Sequence, residues 1–372
     1  MTLKTSSART LLFAAIVAAP STLLAQAGVR YAEAPAAGEY AAAVEASRTL
    51  IDSLMRTRNI PGLSIAVSVN GEVVWSEGFG YAHVEQGTPV LPTTKFRIGS
   101  ISKPVTAAVL AQLYEAGKLD LDAPVQRYVP SFPQKRWPIT VRQVAGHIAG
   151  IRHYRGQEFL NDQRYETVME GLEIFQNDTL LFEPGTKYSY SSYGWNLLSA
   201  VVEGASGEPF LAHMREHVFR PLGMLRTVAD HTDSIIPGRT GFYERAADSS
   251  VINAPFVDNS YKWAGGGFLS TPEDLLRFAN AHLEGGFLTP ETVELLWTSQ
   301  RTTGGELTNY GIGWSVRERG GRRTVAHGGG SVGGNCLLLI YPDEKVVLAV
   351  TTNIGSAGFG AVPLRIAEMF LN

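Results

Sequence analysis

Gly62-Leu63-Ser64-Ile65-Ala66-Val67-Ser68-Val69-Asn70-Gly71-Glu72-Val73-Val74-Trp75 is the stretch that decides the fold. Leu63, Ile65, Val67 and Val69 alternate with small or polar residues, the period of two that a pleated strand imposes. Asn70-Gly71 then interrupts the run, and Val73-Val74-Trp75 resumes it. Asn and Gly tolerate the left-handed backbone of a two-residue turn, so an antiparallel hairpin is expected. Just upstream, Val44, Leu50, Ile51 and Leu54 share one side of a helix over 42–54.

Further along, the chain becomes helical and loop-rich over about 100–300. Val105, Val109 and Leu113 recur at helical spacing, with Gly117 as the stop. Leu197, Leu198, Val201 and Val202 mark a second helix, and Pro272-Glu273-Asp274 opens a third. Short runs at 310–316, 323–327, 335–341 and 345–352 then read as strands, and Pro363 starts a terminal helix through Met369 and Leu371. Strands at both ends with helices between predict an α/β fold: one antiparallel sheet built from both chain ends, flanked by the terminal helices, with a helical part inserted.

Of the 372 residues, 44% are hydrophobic and 18% charged, which fits a globular protein and neither a collagen-like nor a disordered chain. The net charge of −3 provides no basic field for nucleic acid or anionic lipid. Lys4 and Arg9, the apolar run 11–19 and Ala25-Gln26-Ala27 read as an export signal over 1–27, which places the chain in the periplasm or outside the cell. The apolar run is shorter than the roughly 20 residues a spanning helix needs, and no later stretch qualifies. The remainder, 28–372, reads as one domain, with its sheet part at about 38–95 and 305–372 and its helical part at about 96–304. Cys336 is the only cysteine, so no intrachain disulfide forms. It sits beside Leu337-Leu338-Leu339-Ile340 and reads as a small core residue; the signal itself carries no cysteine for a lipid anchor.

Three elements carry chemistry. In Ser100-Ile101-Ser102-Lys103-Pro104, Ser100 and Lys103 lie three apart and share a helix face. Proline belongs in a first helical turn, so the helix begins near Ser100 and its positive end favours developing negative charge there. A serine hydroxyl needs a neighbouring base, and a lysine serves when its pKa falls; Ser100 reads equally as a helix cap. Tyr188-Ser189-Tyr190-Ser191-Ser192-Tyr193 places a possible acid/base phenol before a helix start, or an aromatic turn with Ser191 or Ser192 as cap. His327-Gly328-Gly329-Gly330 is a strand edge a substrate backbone approaches closely, or a glycine turn with a structural histidine. The other histidines are scattered without His-Glu-x-x-His or Cys-x-x-Cys spacing, so neither a metal nor an organic cofactor is expected. Gly265-Gly266-Gly267 lacks the Gly-Lys-Ser/Thr of a phosphate loop.

These elements, in this order, resemble the serine β-lactamase and penicillin-binding-protein superfamily, in its class C-related branch. Phe96-Arg97-Ile98-Gly99, 147–151, Pro221-Leu222-Gly223-Met224 and Tyr310-Gly311-Ile312-Gly313-Trp314 support the likeness, which runs from about 38 to 371. The stretches Gly150-Ile151-Arg152-His153-Tyr154 and 253–271 are similar to the mitochondrial serine β-lactamase-like group and its bacterial relatives. The resemblance implies that Ser100 forms an acyl-enzyme and that Lys103 and Tyr190 move its proton. It further implies that the backbone N–H groups of Ser100 and Gly330 hold the oxyanion. Ser192, His327, Gly328 and Gly329 would line the substrate, with His327 reaching a substrate carboxylate or the Tyr190 oxygen. Two departures stand out: Ser192 replaces the usual Asn, and His327 replaces the usual Lys. Both point away from penicillins and towards a small peptide, amide or ester substrate. The other class of function is a weakly catalytic or non-catalytic scaffold of the same fold, possible because the group includes polymer-forming members. The sequence sets no oligomeric state.

Overall fold

A large antiparallel sheet carries the molecule. The structure, a computed structural model, describes residues 30–34 and 38–371. The export signal expected over 1–27 lies outside the described residues. The strands are β1 (Arg30–Ala34), β2 (Gly62–Val69), β3 (Glu72–His83), β4 (Ser315–Arg319), β5 (Arg322–Ser331), β6 (Gly334–Tyr341) and β7 (Val346–Thr352). They lie in the order β1-β3-β2-β7-β6-β5-β4, and Thr88–Pro89 adds a short piece to β3. The two ends of the chain meet at the β2–β7 pair, where Val67 opposes Leu348 and Ile65 opposes Val350. Asn70 (φ 52°) and Gly71 (φ 85°) are both left-handed, the backbone of the hairpin turn their sequence signals.

The alternation in β2 encodes side-chain size rather than exposure, because all eight residues are buried. Leu63, Ile65, Val67 and Val69 pack in one core with Val44, Ile51 and Leu54 of helix α1 (Ala41–Arg58) and with Ile366 and Phe370 at the C-terminal helix Val362–Glu368. Ala66 faces the other core, which holds the inserted helices. Ser68 meets Asn280 there at 3.1 Å. Small residues on that face admit a helix closely against the sheet, and each large one opposite contributes roughly 1.5–3 kcal/mol by leaving water.

Helix α2 (Ser102–Glu115) runs through this second core and follows a 3-10 turn, Gly99–Ile101. Its stripe of Val105, Val109 and Leu113 understates its burial. Ala107, Ala108 and Ala111 are buried too, so the helix is enclosed nearly all round. Helices α3 (Ser192–Ser206) and α6 (Pro290–Trp297) pack against it, and α4 (Phe210–Met214) and α5 (Pro272–Glu284) contribute to the same core. Among the described residues no helix is long and apolar enough to cross a membrane.

One expected strand is shorter than its pattern. Residues 310–314 form turns, and extended structure begins only at Ser315. Gly313 takes φ +81°, which a strand cannot, and a Cβ there would lie 2.8 Å from Ala107 and 3.2 Å from the Lys103 carbonyl. This turn, packed on α2, delivers Tyr310 to the site described next. Strand β1 precedes the span read as sheet and forms its outer edge.

Candidate active site

The position of Ser100 is set by a backbone turn, not by capping: the 3-10 turn and α2 both start without a side-chain cap bond. Gly99 takes φ +47°, and a Cβ on it would stand 2.5 Å from the Gly330 carbonyl oxygen. Only glycine allows both the left-handed turn and this approach to β5. Gly329 is equally confined, its missing side chain occupied by the Ile98 carbonyl and Cys336 Sγ. The thiol of Cys336 donates to that carbonyl at 2.9 Å, and burial pushes its pKa up, so it packs the underside of the turn.

One helical turn on, Lys103 is fully buried. Its Nζ lies 2.9 Å from Ser100 Oγ, 3.1 Å from Ser192 Oγ and 2.7 Å from the Gly265 carbonyl oxygen. The carbonyl can only accept, so it orients the amine. Burial, with the Lys262 charge second, lowers the Lys103 pKa well below that of a free lysine. The Tyr190 phenol faces the same cleft as Ser100 and Ser192, and burial raises its pKa, so it keeps its proton. Lys103 therefore joins the hydroxyls of Ser100 and Ser192 into one set of exchangeable protons, with the Tyr190 phenol at the same cleft. A serine at 192 is too short to reach far into a cleft, but it touches the Lys103 amine.

Ser191, not Ser192, caps α3, accepting from the Gly194 N–H at 3.1 Å. The Ser192 N–H donates to His153 Nδ1 at 3.1 Å, leaving the ring proton of neutral His153 on Nε2. Burial, followed by the Lys103 charge, pulls His153 down to about 4. Buried Arg152 anchors this segment, pairing with Glu158 at 2.6 Å and with Asp178. The loop thereby holds His153, Tyr154 and Phe159 against the cleft.

The cleft, about 160 Å³, is lined by Ser100, Tyr190, Ser192 and Gly330 together with His153, Tyr154, Phe159, Lys262, Gly265 and Gly266. Strand β4 pairs with β5 only as far as Ala326, so 327–331 presents an open edge. Gly328 and Gly330 are exposed on it, whereas Gly329 is buried. His327 is placed differently from its expected reach to Tyr190 or a carboxylate. Its Nδ1 faces the Gly328 carbonyl oxygen at 2.7 Å and so carries the proton; its Nε2 accepts from the Tyr310 hydroxyl at 2.9 Å. Both nitrogens are engaged, burial pulls the ring down to about 3, and its centroid is 6.4 Å from that of Tyr190.

Sequence reasoning missed Lys262. It is buried, makes no ion pair among the described residues, and lies 4.7 Å from the Phe159 ring centroid and 5.2 Å from that of Tyr261. Burial first, then the Arg97 charge, lowers it to about 7. Nearby Asp230 is taken by Arg97 at 2.7 Å. A lysine between two aromatic residues, in a run otherwise apolar and glycine-rich, was the signal available.

The family described as Beta-lactamase matches residues 48–368. The serine beta-lactamase-like protein LACTB of Mus musculus mitochondria is 34% identical, over 90% of this chain and 82% of its own. A D-aminopeptidase of Gluconobacter oxydans is 27% identical, over 80% of this chain and 56% of its own. Among solved structures, the octameric penicillin-binding protein homologue from Pyrococcus abyssi superposes with a TM-score of 0.75 at 27% identity, covering 88% of this chain and 76% of that one.

Proposed function

The chain belongs to the Beta-lactamase family, and from that premise we propose that it is a serine hydrolase that cleaves peptide, amide or ester bonds through a Ser100 acyl-enzyme. The observation that carries this reading is the buried, pKa-lowered amine of Lys103, 2.9 Å from Ser100 Oγ. As Ser100 Oγ attacks the carbonyl carbon, its proton passes to Lys103. The oxyanion is held by the backbone N–H groups of Ser100 and Gly330, both at the cleft. The scissile C–N or C–O bond breaks as the Tyr190 phenol protonates the leaving group. The proton on Lys103 refills Tyr190 through the Ser192 hydroxyl, and water attacks the ester by the same route in reverse.

Peptide or amide substrates lead, esters follow, and efficient penicillin hydrolysis comes last. The D-aminopeptidase relative and the absence of a long amide at 192 favour that order. His327, neutral and engaged with Tyr310, provides no fixed cation for a carboxylate. The lysine at the cleft is Lys262, whose amine is charged below about pH 7, so an acidic group on the substrate is best received there. Lys262→Met is expected to raise KM for a carboxylate-bearing substrate roughly tenfold to a hundredfold relative to its neutral amide, the worth of one charged hydrogen bond. Equal changes for both substrates would remove Lys262 from recognition.

The covalent step is tested with a fluorophosphonate or a fluorescent penicillin. Wild type should label and Ser100→Ala should not; equal labelling would overturn the mechanism. A protein that neither labels nor hydrolyses D-amino-acid peptides or acyl esters, yet assembles by light scattering, would be the scaffold instead.

A further inference from the structure

The histidines scattered in sequence include one close pair. Helix α3 ends at Ser206, and after Gly207 the chain passes Glu208 and Pro209 into α4, which continues without a break as a π-turn, Arg215–Phe219. Glu208 Oε2 lies 2.9 Å from His213 Nδ1 and 3.5 Å from His217 Nε2. All three donor atoms fall within 4.8 Å of one another, and the two imidazole centroids are 4.1 Å apart.

We propose that Glu208, His213 and His217 bind one divalent transition-metal ion of the zinc class, with water completing the coordination. The spacing carries the argument. Ligands about 2.1 Å from a tetrahedral zinc stand about 3.4 Å apart, close to the two Glu208–histidine separations of 2.9 and 3.5 Å. Two imidazole nitrogens and one carboxylate suit zinc, nickel or copper, whereas magnesium and calcium prefer all-oxygen shells.

The local fold holds the donors in place. Residues four apart share a helix face. The π-turn begins between the two histidines, and such turns often mark functional positions. His213 is buried, which fixes its ring beside Glu208. Glu208 and His217 are exposed and leave the ion an approach. Lys118 is the cationic neighbour that opposes binding; Glu208 is the anion that offsets it.

None of the three lines the cleft, so the ion takes no part in hydrolysis. Its role is mechanical. It ties the turn after α3 to the helix that follows, and Gln112 of α2 already donates to the His217 carbonyl oxygen there at 3.2 Å. The site therefore braces the outer end of the helix that carries Lys103.

Isothermal titration of the metal-stripped full chain with zinc chloride tests this, with magnesium chloride as the comparison. One zinc per chain and a rise in Tm are expected, with no magnesium response. Glu208→Gln and His217→Ala alter exposed side chains, so they should leave Tm in EDTA and Ser100 labelling unchanged. Each should weaken zinc binding at least tenfold. Absence of saturable zinc binding, equal binding by both variants, or an equal magnesium response would overturn the site.

Discussion

Replacing Lys103 with methionine is expected to slow covalent labelling of Ser100 by roughly a thousandfold, within the range general-base groups supply, while the protein stays folded. The two effects separate because the amine is expensive to bury but central to the proposed chemistry. Lys103 is fully buried, and that burial lowers its pKa well below that of a free lysine. Methionine fills a similar volume with no amine to desolvate. The loss is the bond to the Gly265 carbonyl, worth about 1–3 kcal/mol when left unmade, and the apolar gain offsets part of it. Timed labelling with a fluorophosphonate, alongside circular dichroism, measures both. Labelling at wild-type speed would eliminate Lys103 as the base. In the wild type, labelling should slow as pH falls through the lowered Lys103 pKa, where the amine takes up the proton it must accept from Ser100. Because Tyr190 is shifted upward, its proton should remain in place on the alkaline side, giving a plateau there rather than a bell. An optimum on the acid side would contradict this proton circuit.

Stability is expected to drop by several kcal/mol between about pH 6.5 and 4, a large share of the roughly 5–15 kcal/mol typical of a domain. Five histidines, at 147, 153, 213, 282 and 327, are depressed by burial. A depressed group contributes its stability above the unfolded value, near 6.5, and loses it as pH falls towards the folded value. His282 shows why. Its Nδ1 donates to the Phe278 carbonyl oxygen at 2.9 Å, and its Nε2 is buried without a partner among rings of Phe278, Trp297 and Trp314. Protonating it places an unpaired charge in an apolar site. Its shift to about 4 corresponds to roughly 3 kcal/mol. Urea unfolding at pH 7.5, 6 and 4.5 measures the slope, and His282→Phe should flatten it. A wild type equally stable across that range would contradict the burial of these rings in neutral form.

Several features of the site were legible without coordinates because they are local. The distance between Ser100 and Lys103 follows from one helical turn, and Pro104 dates the start of that turn. The hairpin at Asn70-Gly71 follows from two residues that accept a left-handed backbone. The strand at 310–316 was misread because Tyr310, Ile312 and Trp314 alternate like a strand while Gly313 bends the chain. An alternating pattern reports which residues are buried, not which backbone buries them.

What the sequence by itself determined is the elements and their order: a sheet drawn from both chain ends, an inserted helical part, and a serine one turn from a lysine. These depend on spacings of a few residues, which covalent geometry alone makes meaningful. Only the tertiary structure decided what surrounds that pair. It placed Ser192 in contact with Lys103, engaged His327 with Tyr310, and left the Lys262 amine at the cleft without a carboxylate. Those outcomes rest on contacts between residues 17 to 162 positions apart, and on burial that shifts pKa values. Both arise when separate segments exclude water from one another, and no short window of sequence contains that information.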